Sequence, residues 1–229
     1  MSRRPDDHTF RQFLLDHGVV GFFEKPVTLK SGRTSHWYVN WRKVAGDVFL
    51  LDQLADFVIA FVGDQQLVPD CFYGVPEGAT KLGLVVNYKW ARNQKGFGEG
   101  SHAFPMGRAR PKEHGDPTDR YFVGAPRGNV VVIEDVTTTG GSLLAELDKL
   151  AEAKVKVVAA IGLTNRMERR DDGQSVEEAL AARGVKYVAM SEATDFLPAA
   201  CARFKSGEAI GKAIEAEFRE YGVKPLRLI

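Results

Sequence analysis

Two carboxylates, four hydroxyls and two glycines stand together in VVVIEDVTTTGGS, Val130 to Ser142. The leading apolar run has the composition of a buried strand. In an open parallel sheet, ligands bind beyond the carboxyl ends of the strands, and Glu134 and Asp135 stand at such an end. The turn from Val136 onward leads into a helix. Backbone N–H groups at a helix start favour an anion, and Gly140 and Gly141 let a phosphate come close. The hydroxyls of Thr137, Thr138, Thr139 and Ser142 add donors. Sugar hydroxyls suit the two acids, so a phosphorylated ribose satisfies both halves of the stretch. A plain N-capped helix is the competing explanation, but a cap needs only one such residue.

Two familiar phosphate loops are excluded. The chain has no GxxxxGK[ST], and no GxGxxG between a strand and a helix. The Gly-rich GFGEG at Gly96 to Gly100 precedes no apolar helix and reads as part of a flexible loop.

The elements that must position this chemistry follow from periodicity. Thr9 to Asp16 reads as a short amphipathic helix, and Phe22 to Asn40 as extended chain interrupted by the turn SGRTS. Leu50 to Val62 and Glu77 to Ala91 are expected helices, with a short buried strand, Asp70 to Val75, between them. Strands at Asn129 to Ile133, Val155 to Leu163 and Val185 to Met190 then alternate with helices at Ser142 to Ala153 and Val176 to Arg183. A last helix is expected at Ile210 to Tyr221. Strands apolar along their whole length and alternating with helices imply an α/β fold around a parallel sheet. Arg92 to Asp119 lacks periodicity and holds many Gly, Pro and charged residues. A loop of that length is usually functional, and it has room for a hairpin.

The 229 residues suffice for one large domain. Lys and Arg number 31 against 30 Asp and Glu, so the net charge of +1 gives no support to a nucleic-acid or membrane-surface role. Cys71 and Cys201 are far apart, form no metal-ligand spacing, and are expected to be buried reduced thiols. The polar start MSRRPDDHTFRQ lacks a signal core, and no run of about 18 apolar residues exists, so a cytoplasmic protein is expected.

VVVIEDVTTTGGS resembles the phosphoribosyl-pyrophosphate (PRPP) signature of type I phosphoribosyltransferases. Three further stretches resemble the orotate branch of that family. LKSGRTSHWYVN, Leu29 to Asn40, matches its N-terminal segment; by composition alone it would be a β-turn with a basic tip. RARPKEHGD, Arg108 to Asp116, matches its catalytic loop at Arg108, Lys112, His114 and Gly115; by composition alone it would be a solvated basic loop. NRME, Asn165 to Glu168, brings Arg166, which could equally be a surface arginine. YGVPEGA, Tyr73 to Ala79, carries the family's G-[IV]-P.

The resemblance implies a central parallel sheet flanked by helices, with a small N-terminal hood. It implies a single domain over 1–229, with the hood in 1–45 and the catalytic loop in 92–120. The implied reaction is orotate plus PRPP giving orotidine 5′-monophosphate and pyrophosphate. PRPP would meet Lys30, Tyr73, Arg108, Lys112, His114 and the run Glu134, Asp135, Val136, Thr137, Thr138, Thr139, Gly140, Gly141 and Ser142. Orotate would meet Lys30, Tyr38, Val39, Thr138 and the Arg166 guanidinium. Lys112, His114, Arg108 and Asp135 are the implied catalytic residues. Mg²⁺ would be held mainly by PRPP and water. A homodimer sharing the loop between subunits is implied too. The sequence departs from the family where many members carry lysine, at Ala109 and Tyr73, and Glu134 stands where Asp is common. The alternatives are transfer to another base, or a non-catalytic PRPP-sensing regulator.

Overall fold

The computed structural model describes residues 7–114 and 120–228. Among these, four parallel strands form the central sheet in the order β3 (Cys71–Gly74), β6 (Asn129–Thr137), β7 (Lys156–Asn165) and β8 (Lys186–Ala189). The expected α/β architecture is present. Alternation along β6 feeds two cores: Val131 and Ile133 face one, Val130 and Val132 the other.

On the first face pack α2 (Val48–Asp64), α3 (Thr80–Arg92), α6 (Ala193–Phe204) and α7 (Glu208–Tyr221). Helix α2 forms because Leu51, Leu54, Ala55, Val58 and Val62 recur at helical spacing, and because the Asp47 carboxylate caps Leu50 N at 2.9 Å. On the second face pack α4 (Gly141–Glu152) and α5 (Val176–Ala181). The Cys71 thiol lies inside this second core, and burial pushes its pKa up to about 11. Cys201 is only partly buried, short of the expectation.

The N-terminal segment adds α1 (Asp7–Asp16) and an antiparallel hairpin, β1 (Val20–Thr28) with β2 (Thr34–Val39). Leu29 N donates to Arg33 O at 2.8 Å, closing a tight turn with Lys30 at its tip. Trp41, 1% exposed, anchors the hairpin to β7 by donating from Nε1 to Thr164 Oγ1 at 3.0 Å.

Three elements differ from expectation. Strand β6 runs to Thr137 rather than Ile133, so both acids lie within it. Helix α6 was not expected at all, because Pro198 inside it removes a backbone donor. The long segment after α3 contains a hairpin stem: β4 (Met106–Gly107) pairs with β5 (Phe122–Val123), and Arg108 N and Lys112 N continue the ladder to Tyr121 O and Arg120 O, each at 2.8 Å. Its first part folds back on α3, where Asn87 Nδ2 donates to Ala103 O at 2.8 Å.

Helix α3 lies close against β3 because Gly83 meets Gly74 backbone to backbone. A Cβ on Gly83 would overlap Gly74 N and Cα. Gly83→Ala is expected to cost about 1–3 kcal/mol by overpacking, read as a lower urea midpoint; an unchanged midpoint would contradict this contact.

Candidate active site

Strand β3 makes its last pair at Gly74 with Ile133, and Val75 N then donates to Ile133 O at 2.8 Å. Beyond that point the chain turns away through Pro76, Glu77 and Gly78, while β6 continues beside β7. The gap exposes Glu134 and Asp135 to a cavity at the carboxyl end of the sheet. Lys30, Tyr38, Val39, Glu134, Asp135, Val136, Thr138, Ser142 and Arg166 line it. An adjoining hollow is lined by Lys30, Glu134, Val136, Thr138, Thr139, Gly140, Gly141 and Ser142. The two share Lys30, Glu134, Val136, Thr138 and Ser142, and the first brings the hood hairpin and part of the Thr/Gly turn to one chamber.

The turn is built for an anion. Gly140 takes a left-handed conformation, φ +70°, at the start of α4, and no side chain caps that helix. Lys30 Nζ reaches across from the hood to donate to Ser142 Oγ at 2.8 Å. This one contact ties the hairpin tip to the turn and brings a cation to it.

The acids are unequal. Glu134 is 5% exposed. Burial first, and then the neighbouring Asp135, push its carboxyl well above the usual range, while Lys30 opposes the shift. Asp135 is part-exposed and accepts from Val136 N at 2.9 Å. Its carboxylate lies against Gly78, where a Cβ would overlap it. One acid is thus poised to keep a proton, and the other is open to the chamber.

Arg166 is 2% exposed, yet borders the chamber. Its Nε donates to Glu168 Oε1 at 2.8 Å, Nη1 to Trp37 O at 3.3 Å and Nη2 to Ser35 Oγ at 2.9 Å. Its guanidinium lies 3.7 Å above the Trp37 ring. It is not a surface arginine. A guanidinium has five N–H groups, so one on Nη1 and one on Nη2 are left for a ligand.

Two expected contacts are corrected. Tyr73 cannot touch PRPP: it is fully buried, its ring meets Phe122 edge-on at 5.8 Å, and its hydroxyl donates to Glu146 Oε1 at 2.5 Å. Thr137 is 1% exposed, its hydroxyl is bonded to Tyr187 Oη at 2.5 Å, and it borders neither hollow. Arg108, Lys112 and His114 border neither hollow either. They stand on the stem and rising side of the β4–β5 hairpin; Gly115 and Asp116 of the loop motif lie outside the described residues.

Sequence reasoning missed Asn40, Arg42 and the Pro76 to Gly78 turn, all in the lining. Arg42 follows the YVN stretch by two residues, a basic signal that could have been used. The turn is visible in the sequence as GVPEG, Gly74 to Gly78.

No known family profile matches the chain. The orotate phosphoribosyltransferase of Bradyrhizobium diazoefficiens is 32% identical over 180 residues, 76% of this chain and 88% of that protein. That of Methanopyrus kandleri is 32% identical over 187 residues, 80% of this chain and 88% of that protein. Among solved structures, the orotate phosphoribosyltransferase of Francisella tularensis superposes with a TM-score of 0.68 at 20% identity, over 93% of this chain and 99% of that one. The last likeness shows the fold.

Glu134 links the site to stability. Above its unfolded value of about 4.3 and up to its raised folded value, the folded state keeps a proton that the unfolded state has lost. Stability contributed by the protonated group is therefore lost as pH rises through that window. Glu134→Gln should melt higher than the parent at pH 7.5, with the gap closing toward pH 4. Equal melting at pH 7.5 would show that the buried carboxylate carries no such penalty.

Proposed function

Because the chain belongs to the orotate phosphoribosyltransferase family, we propose that it transfers the phosphoribosyl group of PRPP to orotate. The products are orotidine 5′-monophosphate and pyrophosphate, in a step of pyrimidine synthesis. One observation carries the residue assignment: the Lys30–Ser142 contact closes the hood onto the Thr/Gly turn, so a phosphate site and Arg166 share one chamber.

The turn from Thr138 to Ser142 holds the 5′-phosphate with backbone N–H groups, hydroxyls and the Lys30 ammonium. Glu134 and Asp135 hold the ribose hydroxyls. The transition state is oxocarbenium-like, and the Asp135 carboxylate, open to the chamber, is the group that meets positive charge growing on the ribose. Arg166 offers its two remaining N–H groups to the orotate carboxylate, a charge-assisted pair at a site already shaped by Trp37 and Glu168. Tyr38, 36% exposed in the lining, gives the base ring a flat neighbour. No covalent nucleophile is required.

Among the described residues, no three His, Cys, Asp or Glu side chains converge to hold a metal. Asp135 and Glu134 are oxygen donors of the kind Mg²⁺ accepts, beside waters and substrate phosphates. Mg²⁺ bound with PRPP would supply charge neutralisation on the pyrophosphate.

Lys112, His114 and Arg108 assist departure of pyrophosphate, by closing over it as its charge grows. We propose a homodimer in which each loop covers the other subunit's site, a reading supported by the three residues bordering neither hollow of their own chain. The chain acts as one domain over 1–229, with the hood in 1–45 and the loop in 92–120. Among the described residues no helix is long and apolar enough to cross a membrane. A cytoplasmic location suits the reaction.

Three measurements follow from this reading. Pyrophosphate release with PRPP and Mg²⁺ should occur with orotate and not with uracil, adenine, hypoxanthine or guanine. Turnover with another base would overturn the Arg166 assignment, and silence with all five, despite PRPP binding, would favour a regulator. Lys112→Ala should lower kcat by roughly 10²–10³-fold; a change confined to KM removes it from transition-state stabilisation. Mixing Lys112→Ala subunits with Glu134→Gln/Asp135→Asn subunits should restore activity. No recovery, with mixed dimers verified by mass, would refute loop sharing.

A further inference from the structure

The hood turn SGRTS carries a second cation, Arg33, to which the reaction assigns nothing. Its side chain is 10% exposed and borders neither hollow. It reaches the carboxylate that holds Arg166. Arg33 Nη1 donates to Glu168 Oε2 at 3.1 Å, while Arg166 Nε donates to Glu168 Oε1 at 2.8 Å. One nearly buried carboxylate is thus divided between two guanidiniums, one oxygen each.

The division matters because a carboxylate and a guanidinium prefer a two-bond fork. Left alone with Arg166, Glu168 would be free to swing into such a fork on Nε and Nη2, drawing Nη2 from Ser35 and turning the guanidinium from the position in which it borders the chamber. It would also leave the pair electrically neutral at the point of substrate contact. Arg33 opposes both by fixing Oε2 in place and by adding a positive charge beside it. It is itself fixed: its guanidinium lies 4.4 Å over the Tyr221 ring, and Nη2 donates to Asp171 at 2.9 Å. Asp171 is 95% exposed, so water screens its charge. Of the other carboxylates nearby, Glu220 is bonded to the Tyr221 hydroxyl, and Glu217 stands behind the Ser35 hydroxyl, which is 2.7 Å from it, and accepts from His36 N at 2.7 Å.

We propose that Arg33 is a positioning residue for orotate recognition: by holding Glu168 Oε2, it keeps the Arg166 guanidinium open to the substrate carboxylate. The proposal rests on the reading that this chamber takes orotate, and the parent enzyme's turnover of orotate tests that reading separately.

The test is steady-state kinetics and melting of Arg33→Gln, Arg33→Lys and the double variant Arg33→Gln/Glu168→Gln. Arg33→Gln should raise the orotate KM roughly tenfold, the scale of one charge-assisted hydrogen bond, with the PRPP KM and kcat within about twofold. The double variant has no carboxylate to close on Arg166, so its orotate KM should fall back toward the parent. A merely structural role would make the double variant no better than the single one. Arg33→Lys keeps a cation on Oε2 and should change the orotate KM less than about threefold. An unchanged orotate KM in Arg33→Gln, an equal rise in the PRPP KM, or no recovery in the double variant overturns the proposal. Should Arg33→Gln fail to fold, Arg33→Lys and the double variant decide alone: a rise above about tenfold in either, with parent-like melting, overturns it.

Discussion

Strand β6 stays hydrogen-bonded to β7 through Thr137 and Asn165, while its other neighbour, β3, leaves the sheet after Gly74. That difference in strand length opens the site. A four-residue notch beside β6, from Glu134 to Thr137, has a strand on one side and a turning loop on the other. Backbone groups in the notch cannot be satisfied by β3, and Glu134, Asp135 and Val136 border the chamber there. Acids can occupy such positions where an apolar run cannot be extended usefully. Gly78 completes the arrangement: a Cβ there would overlap the Asp135 carboxylate in the position it now takes.

The notch would be a poor site without the hood. Glu134 is deep enough for burial to dominate its titration, and Lys30 is the cation that opposes this. The same Lys30 meets Ser142 on the turn. The hood hairpin therefore contributes charge at its tip, a flat aromatic wall along β2, and, at the base of its turn, the Arg33 that shares Glu168. Trp37 and Ser35 on β2 fix Arg166 from β7's end. Phosphate end and base end of the chamber are coupled through one short piece of chain, so a distortion of the turn at Leu29 to Arg33 would be felt at both.

Much of this was legible in the sequence, for identifiable reasons. The β6 run announced itself because four consecutive apolar residues precede two acids, and the Thr/Gly turn because no ordinary cap needs so many donors. The resemblance to known sequences named the base. What stayed hidden depends on contacts between distant positions. The place of Tyr73 before G-[IV]-P points toward PRPP, but its hydroxyl meets Glu146, which lies on α4. Thr137 looks like its neighbours in the turn, yet it ends β6 and bonds to Tyr187. Helix α6 was concealed by Pro198, although Ala193, Phe196, Leu197 and Ala200 do repeat at helical spacing. The partners of Arg166 and Arg33 come from β2, from the chain after β7 and from α7, and no local pattern records them.

The most direct test of the account is a crystal structure of the protein with orotidine 5′-monophosphate bound. The account predicts the 5′-phosphate on the turn from Thr138 to Ser142, the ribose hydroxyls against Glu134 and Asp135, and the orotate carboxylate within hydrogen-bond distance of the Arg166 guanidinium. A nucleotide whose phosphate lies away from that turn, or whose carboxylate is met by Arg42 and not by Arg166, would contradict it.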